Sequence, residues 1–229
     1  MSANLTLYAD NLWISPYGFS SFVALKEKSI AFDLVELSLV NGEHLSNKYL
    51  SESLTARIPS LADNGFAFSE SSAIAEYLEE VYPPPKYTSL FPRDVRERAR
   101  ARQLMAWLRS DLDALRSERS TITMFYRLQV PELTESGHKA TEKLLRVAEA
   151  VIPADEGPLF GSWCLVDSEL SFMLHRLILN GHRLPPRVLA YAQAHWQRPS
   201  SVHFAQHARP KDVPEGYWRY AGMAALPAA

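Results

Sequence analysis

Three consecutive prolines, Pro83 to Pro85, separate two stretches of the chain that have different hydrophobic periodicity. Proline cannot continue a helix, and three in a row form a stiff, extended connection. Before the prolines, short segments with the apolar–polar alternation of strands are interspersed with segments of helical periodicity. After the prolines, every periodic segment has helical spacing. We therefore predict two domains, a mixed α/β domain followed by an all-α domain.

The first stretch predicts the order β-α-β-α-β-β-α. Strands are predicted at 5–9, 31–39, 60–62 and 66–68, and helices at about 16–28, 43–52 and 71–81. Asn64-Gly65 is a strong hairpin signal between the last two strands. In the helix predicted over 71–81, Ile74, Tyr77, Leu78 and Val81 share one face, so this helix is expected to pack on the sheet.

The second stretch predicts four helices, at 94–117, 135–151, 167–180 and 186–196. No periodic pattern continues beyond about Arg209, and no element is predicted there. The predicted organisation is a first domain at 1–82, a linker at 83–92, a helical domain at 93–210 and a tail at 211–229.

Composition removes several classes of function. A net charge of −2 over 229 residues gives no electrostatic case for nucleic acid or for a membrane surface. No apolar run reaches the ~18–20 residues of a membrane span, and the first residues lack a signal-peptide pattern.

The single Cys164 cannot form an internal disulfide, which suits a reducing compartment, so we expect a cytoplasmic protein. His203 and His207 lack a third ligand, and no metal is predicted.

Ser15 stands directly before Pro16, where a helix is predicted to begin. Serine is a preferred N-cap and proline is preferred at the first helical position, so a purely structural cap is one interpretation. The other uses the same geometry. The unpaired N–H groups and partial positive charge of a helix N-terminus stabilise an anion, and a bound thiol placed there would ionise more easily.

Two further motifs carry alternatives of the same kind. Ile58-Pro59 precedes a predicted strand, and its peptide bond is either trans, at a strand edge, or cis, turning the Ile58 backbone towards a ligand. Glu70-Ser71 lies where a strand meets a helix. Ser71 or Ser72 is predicted as the N-cap there, while the pair would also suit the carboxylate and ammonium groups of a zwitterionic ligand.

The segment RIPSLADNGFAFSESSAIAEYLEE, residues 57–80, resembles the core signature of cytosolic glutathione S-transferases. NGEHL, residues 41–45, is similar to the second-helix region of serine-type members, and the proline-rich linker before a helical half matches the two-domain plan of the family. The resemblance is to bacterial, serine-type, theta/delta-like members. It implies a thioredoxin-like α/β N-terminal domain followed by an all-α C-terminal domain.

The resemblance also implies roles for individual residues. Ser15 would donate a hydrogen bond to the glutathione sulfur, with Tyr8 as the alternative thiol contact. Pro59 would be the cis-proline and Ile58 would pair its backbone with the cysteinyl part of glutathione. The remaining implied contacts are Glu70 and Ser71 to the γ-glutamyl end, and Arg57 and His44 to the glycine carboxylate.

The activity implied is that of a glutathione transferase, which activates the thiol of its co-substrate and attacks a small electrophile or reduces a peroxide. A homodimer is implied as well. The alternative is a glutathione-binding or protein-interaction module with little turnover, because family membership does not establish activity. Trp107 and Met105 are candidates for an acceptor pocket or for plain core packing, and Asp167, after Cys164, is interpreted as a structural residue of a buried helix.

Overall fold

The computed structural model describes residues 5–227, apart from the side chain of Glu52. The chain forms two compact units. Among the described residues, the first comprises 5–90 together with Val202–Ala225, and the second comprises Phe91–Ser201 together with 226–227. By its packing, the segment 202–210, which the sequence places in the helical domain, lies in the first unit.

A four-stranded sheet forms the centre of the first unit. Its strands are β1 (Leu5–Asp10), β2 (Asp33–Leu37), β3 (Ser60–Asp63) and β4 (Phe66–Ser69), in the order β2-β1-β3-β4. The β1–β2 pair is parallel, and the β1–β3 and β3–β4 pairs are antiparallel. The helices of this unit are α1 (Pro16–Glu27), α2 (Asn47–Glu52), α3 (Ser71–Val81) and α11 (Tyr217–Ala221), with one 3₁₀ turn at Glu43–Leu45.

The core of the first unit lies where the buried face of the sheet meets α1 and α3. Leu7 and Leu61 contribute from the sheet, Phe19 from α1, and Ile74 and Leu78 from α3, and each of these side chains is fully buried. The periodicity that predicts α3 therefore identifies the buried face correctly at Ile74 and Leu78, but Val81, at the last turn of the helix, is 46% exposed. This packing fixes the ends of β1 and α1, between which Ser15 lies.

The second unit consists of helices. They are α4 (Val95–Ser110), α5 (Asp113–Glu118), α6 (Thr121–Phe125), α7 (Glu135–Val151), α8 (Leu165–Ile178), α9 (Pro186–Trp196) and α10 (Pro199–Ala205), the last of which runs on into the first unit. The predicted combination of a thioredoxin-like α/β part and an all-α part is confirmed. Within residues 5–227, no helix combines the length and the apolar character that crossing a membrane requires.

Asp167 has the structural role that the sequence indicates. Its carboxylate accepts hydrogen bonds from the Cys164 N–H (2.9 Å), the Leu159 N–H (2.9 Å) and the Tyr191 hydroxyl (2.8 Å). Burial and the neighbouring Asp167 carboxylate raise the pKa of the Cys164 thiol far above its ordinary value. The thiol therefore stays protonated, which is the state of an inert core residue and not of a nucleophile.

Two predictions about the elements are wrong. The single helix predicted over 94–117 is two helices, α4 and α5, separated at Leu112, whose φ is +64°. The Asp111 carboxylate accepts the Leu112 N–H (2.7 Å) and so stabilises the break. In the segment after Arg209, where no element is predicted, Gly216 and Gly222 both adopt positive φ and bound the short helix α11.

Candidate active site

Ser15 is the N-cap of α1. Its Oγ accepts a hydrogen bond from the Gly18 N–H (3.1 Å), and Pro16 occupies the first helical position. A serine hydroxyl has two acceptor positions and one proton to donate. Capping uses an acceptor position and leaves the hydroxyl proton for a ligand, so the cap and the binding role are compatible in one side chain.

Asp10, the last residue of β1, holds the loop that presents Ser15. Its carboxylate accepts hydrogen bonds from the backbone N–H groups of Ile14 (3.0 Å) and Ser15 (3.3 Å), and the side chain is 3% exposed. Burial raises the pKa of Asp10, and the hydrogen bonds from Ile14 and Ser15 act in the opposite direction. The position of Ser15 therefore depends on a buried carboxylate that the sequence analysis does not single out.

Trp13 fixes the same loop from its other side. Its indole is fully buried, lies stacked on His207 with the ring centres 3.6 Å apart, and donates to the Glu36 carboxylate. The Arg209 guanidinium donates to the Trp13 carbonyl (2.9 Å) and to the carbonyl of Phe204 (3.0 Å). His207 and His203, considered above as metal ligands, are therefore packing residues here, and His203 lies against Phe22.

Arg57 and Ile58 form the opposite wall of the site. The Tyr49 hydroxyl donates to the Arg57 carbonyl (2.7 Å) and also contacts the Ser60 hydroxyl (2.9 Å). The Ile58–Pro59 peptide bond is cis, which decides between the two conformations that the sequence leaves open. Tyr49 is buried at 3% exposure, and it ties this loop to the start of β3.

Glu70 has an unusual backbone conformation, with φ at +79° and ψ at 114°. It is the N-cap residue of α3 and Ser71 is the first helical residue, so the prediction of Ser71 or Ser72 as the cap is wrong: the turn at Glu70 starts the helix one residue earlier. A non-glycine residue with positive φ is costly and is found disproportionately at functional sites. The Glu70 carboxylate lies 4.0 Å from the Arg57 Nε, and both side chains are more than half exposed.

A pocket of about 320 Å³ brings several predicted residues together. It is lined by Ser15, Pro16, Tyr17, Leu39, His44, Ala56, Arg57, Ile58 and Tyr220. Four of the predicted site residues, Ser15, His44, Arg57 and Ile58, are in this set, and Glu70 adjoins it through Arg57. The His44 Nδ1 is buried without a hydrogen-bond partner in the described part of the chain, as expected of a site whose ligand supplies the missing contact.

Tyr8 has a different environment. It lies inside β1, opposite Val35 and Ser60, and its ring packs against Tyr49 with the centres 5.4 Å apart. Tyr8 is absent from the described lining of the pocket, whereas Ser15 is present. Of the two candidate thiol contacts, Ser15 therefore has the better position.

The arrangement combines one hydroxyl donor, one helix N-terminus and two cationic or basic side chains around a concavity. A volume of about 320 Å³ is at the lower end of the range for small-molecule sites, which is about 300–1,000 Å³. Such a set can hold a ligand that carries a thiol, carboxylates and an ammonium group, with the thiol at Ser15 and a carboxylate at Arg57 or His44.

Two family models match the chain. Residues 12–86 match the N-terminal domain of glutathione S-transferase, and residues 94–209, half of the chain, match its C-terminal domain. The chain belongs to the glutathione S-transferase family. The gap between the two matches, residues 87–93, contains most of the linker predicted at 83–92.

Relatives give the same assignment. Human glutathione S-transferase theta-1 is 33% identical over 91 residues, which is 40% of this chain and 37% of the human protein. The chain thus spans well under two thirds of the curated relatives of that class. A crystal structure of a glutathione transferase homolog from Burkholderia gl BGR1 with bound glutathione is 38% identical, with a TM-score of 0.73 over 89% of this chain and 96% of that chain.

A second solved structure supports the fold alone. Human glutathione transferase theta-2, in complex with glutathione and an unknown ligand, has a TM-score of 0.68 and covers 95% of this chain and 97% of that chain. Its sequence identity is 23%. The likeness therefore shows that a glutathione S-transferase architecture is shared, and it assigns no residue of this chain.

The sequence analysis missed Asp10, Tyr49 and Tyr220. Asp10 and Tyr49 act on backbone atoms of the two site loops, and no motif marks such contacts. Tyr220 comes from the segment with no periodic pattern, although Gly216 and Gly222 flank its helix and provide a weak local signal.

Proposed function

We propose that this protein binds glutathione and conjugates its thiol to an electrophile. The observation that carries the proposal is the position of Ser15, whose hydroxyl lies at the N-terminus of α1 and lines the pocket that also contains Arg57, Ile58 and His44. Glutathione carries a thiol, an ammonium group and two carboxylates. Each of these groups has a chemically matched partner among the predicted site residues.

Thiol activation follows from the environment of Ser15. The hydroxyl donates to the sulfur while its oxygen accepts the Gly18 N–H, which makes it a better donor through hydrogen-bond cooperativity. The partial positive charge at the start of α1 favours the thiolate further. Together these effects correspond to a decrease of about one to two units in the thiol pKa, since one unit is about 1.4 kcal/mol.

The two ends of the co-substrate would bind at opposite sides of Ile58. In this proposal Arg57 and His44 bind the glycine carboxylate, and Glu70 and Ser71 bind the γ-glutamyl end. The Arg57–Glu70 pair is exposed and its atoms are 4.0 Å apart, so it contributes little stability by itself. Both groups can therefore turn to a ligand at small cost.

In the proposed reaction, the thiolate sulfur attacks the electrophilic carbon and a carbon–sulfur bond forms. The leaving group departs with the bonding electron pair, and the thiol proton is released to solvent. Ser15 acts as hydrogen-bond donor and is not itself a nucleophile, because no base activates it. Peroxide reduction by the same thiolate, a homodimer and a cytoplasmic location are predictions that rest on the family resemblance.

The test follows thiolate absorbance against pH for glutathione bound to the wild type, Ser15→Ala and Glu70→Ala. We expect Ser15→Ala to bind glutathione but to raise the thiol pKa by about one to two units and to lose turnover. Glu70→Ala should lose binding. The exposed helical Ser51 gives a matched control, and Ser51→Ala should behave as wild type.

An unshifted thiol pKa in the wild type would contradict thiol activation and favour the alternative of a binding module with little turnover. Equal loss of binding in Ser15→Ala and Glu70→Ala would contradict the assigned division of roles. Calorimetry with glutathione separates these results, because it measures affinity independently of the thiol titration.

A further inference from the structure

Helix α11 brings a side chain to the pocket from a part of the chain that the family models do not match. The helix spans Tyr217–Ala221, whereas the two matches end at residue 209. Gly216 and Gly222 bound it, and both adopt positive φ, which allows the backbone to turn sharply on either side of a five-residue helix. A role for α11 therefore has to be argued from its own side chains.

The packing of α11 holds it against the first unit. Tyr217 is buried at 7% exposure, and its ring lies edge-on to that of Trp218 with the centres 5.4 Å apart. A Cβ added to Gly216 would meet the Val40 Cγ1 at 3.4 Å, so the start of the helix lies close to the loop after β2. These residues and the residues that line the larger pocket belong to the same unit.

Tyr220 is the member of α11 that lines the larger pocket. Its ring lies edge-on to the His44 ring, with the centres 6.3 Å apart and the planes at 80°. Burial and the Asp10 carboxylate raise the pKa of the Tyr220 hydroxyl, and the Arg57 charge acts in the opposite direction. The hydroxyl therefore keeps its proton at neutral pH, and it lies within electrostatic reach of Arg57.

His44, Arg57 and Tyr220 provide three hydrogen-bonding side chains that line one pocket. The His44 Nδ1 is buried without a hydrogen-bond partner in the part of the chain that the structure describes. The Arg57 side chain is 68% exposed, so its guanidinium can turn to a ligand. A carboxylate offers about four acceptor positions on its two oxygens, and hydrogen bonds to a charged acceptor are stronger than those between neutral groups. The set therefore suits a carboxylate.

We propose that the Tyr220 hydroxyl donates to the glycine carboxylate of glutathione, beside Arg57 and His44, and that α11 thereby sets the affinity for this co-substrate. The inference rests on the proposed function, which assigns that carboxylate to Arg57 and His44. It adds a third donor, from outside the matched family domains. Tyr220 is a binding residue in this proposal, and the sulfur remains the partner of Ser15.

The test compares glutathione with glutathione monoethyl ester, in which the glycine carboxylate is esterified and uncharged. Calorimetry measures the Kd of both ligands for the wild type and for Tyr220→Phe, which keeps the ring beside His44 and removes only the hydroxyl. Loss of a hydrogen bond to a charged group should weaken glutathione binding about tenfold. The affinity for the ester should fall by only about twofold, because its neutral oxygen is a weaker acceptor.

Tyr87→Phe is the matched control. The Tyr87 ring packs against Tyr82 with the centres 5.3 Å apart, and Tyr87 is outside the described lining of the pocket. This variant should bind both ligands as the wild type does. The thiol titration gives a second readout, in which Tyr220→Phe should leave the pKa of the bound thiol unchanged, whereas Ser15→Ala raises it.

Equal weakening of glutathione and ester binding in Tyr220→Phe would overturn the proposal, because a residue that acts only by packing changes both affinities alike. Unchanged affinity for glutathione would overturn it too, as would a raised thiol pKa, which would assign the hydroxyl to the sulfur. A wild type that does not bind glutathione would instead overturn the proposed function. Once the wild type binds glutathione, each of the other results concerns Tyr220 alone.

Discussion

The buried carboxylate of Asp10 offers the most direct test of how the fold positions Ser15. Asp10→Ala removes the acceptor of two backbone N–H groups, those of Ile14 at 3.0 Å and Ser15 at 3.3 Å. Leaving a buried donor unsatisfied costs about 1–3 kcal/mol. Because the carboxylate is itself costly to bury, part of this loss is offset, and we expect Asp10→Ala to lower the free energy of unfolding by about 2–4 kcal/mol.

Asp10→Asn separates shape from charge. The amide keeps one acceptor oxygen, so Asp10→Asn should lower the free energy of unfolding about half as much as Asp10→Ala does, by about 1–2 kcal/mol. Burial raises the pKa of Asp10 above its ordinary value of 3.8, so the native state holds the proton more tightly than the unfolded state. The stability gained from this tighter proton binding is fully present below the pKa of the unfolded state, and it is lost as the pH rises through the pKa of the native state. The wild type should therefore gain stability relative to Asp10→Asn as the pH is lowered from 7.

Urea unfolding at several pH values measures both effects, and the exposed Asp33 of β2 gives the control Asp33→Asn, which should change stability little. The thiol titration supplies the functional readout. If Asp10 positions Ser15, Asp10→Ala should also raise the pKa of the bound thiol towards that of free glutathione. Equal stability of wild type and Asp10→Ala would refute the reasoning. So would a stability advantage of the wild type over Asp10→Asn that grows with rising pH.

Two further predictions concern the backbone of Glu70 and the side chain of Arg209. Glu70 has a φ of +79°, in a part of backbone space that alanine disfavours and glycine tolerates. In urea unfolding, Glu70→Gly should therefore be more stable than Glu70→Ala by about 1 kcal/mol. Both variants should lose glutathione affinity equally. Arg209 donates to the carbonyls of Ala205, His207, Trp13 and Phe204, so Arg209→Met should lower the free energy of unfolding by about 2–3 kcal/mol. The exposed Arg219 gives the control Arg219→Met, and a similar effect of both changes in thermal unfolding would contradict this role.

Long periodic segments made most of the fold predictable. The predicted bounds 71–81, 135–151 and 186–196 coincide with α3, α7 and α9, because each helix buries one apolar face and begins or ends at a recognisable signal. The break at Leu112 could not be foreseen. It requires a leucine with φ of +64°, stabilised by the neighbouring Asp111, and neither glycine nor proline marks the position.

The site was predictable to the extent that its residues belong to local motifs. Ser15, Ile58 and Glu70 each stand beside a proline or a helix start, and these features are visible in sequence. Asp10 and Arg209 act through hydrogen bonds to backbone atoms, and the Arg209–Trp13 contact joins residues 196 positions apart. A contact of that kind has no sequence pattern, since any residue can provide the carbonyl.

The discontinuity of the first unit has a consequence for biosynthesis. Trp13 emerges early from the ribosome, but its partners Phe204, His207 and Arg209 follow only after residues 91–201 of the helical unit have been translated. Until then the indole lacks its stacking partner, and the loop bearing Ser15 is held on one side only. N-to-C synthesis would thus leave the loop that bears Ser15 without these contacts until residues 204–209 have been translated.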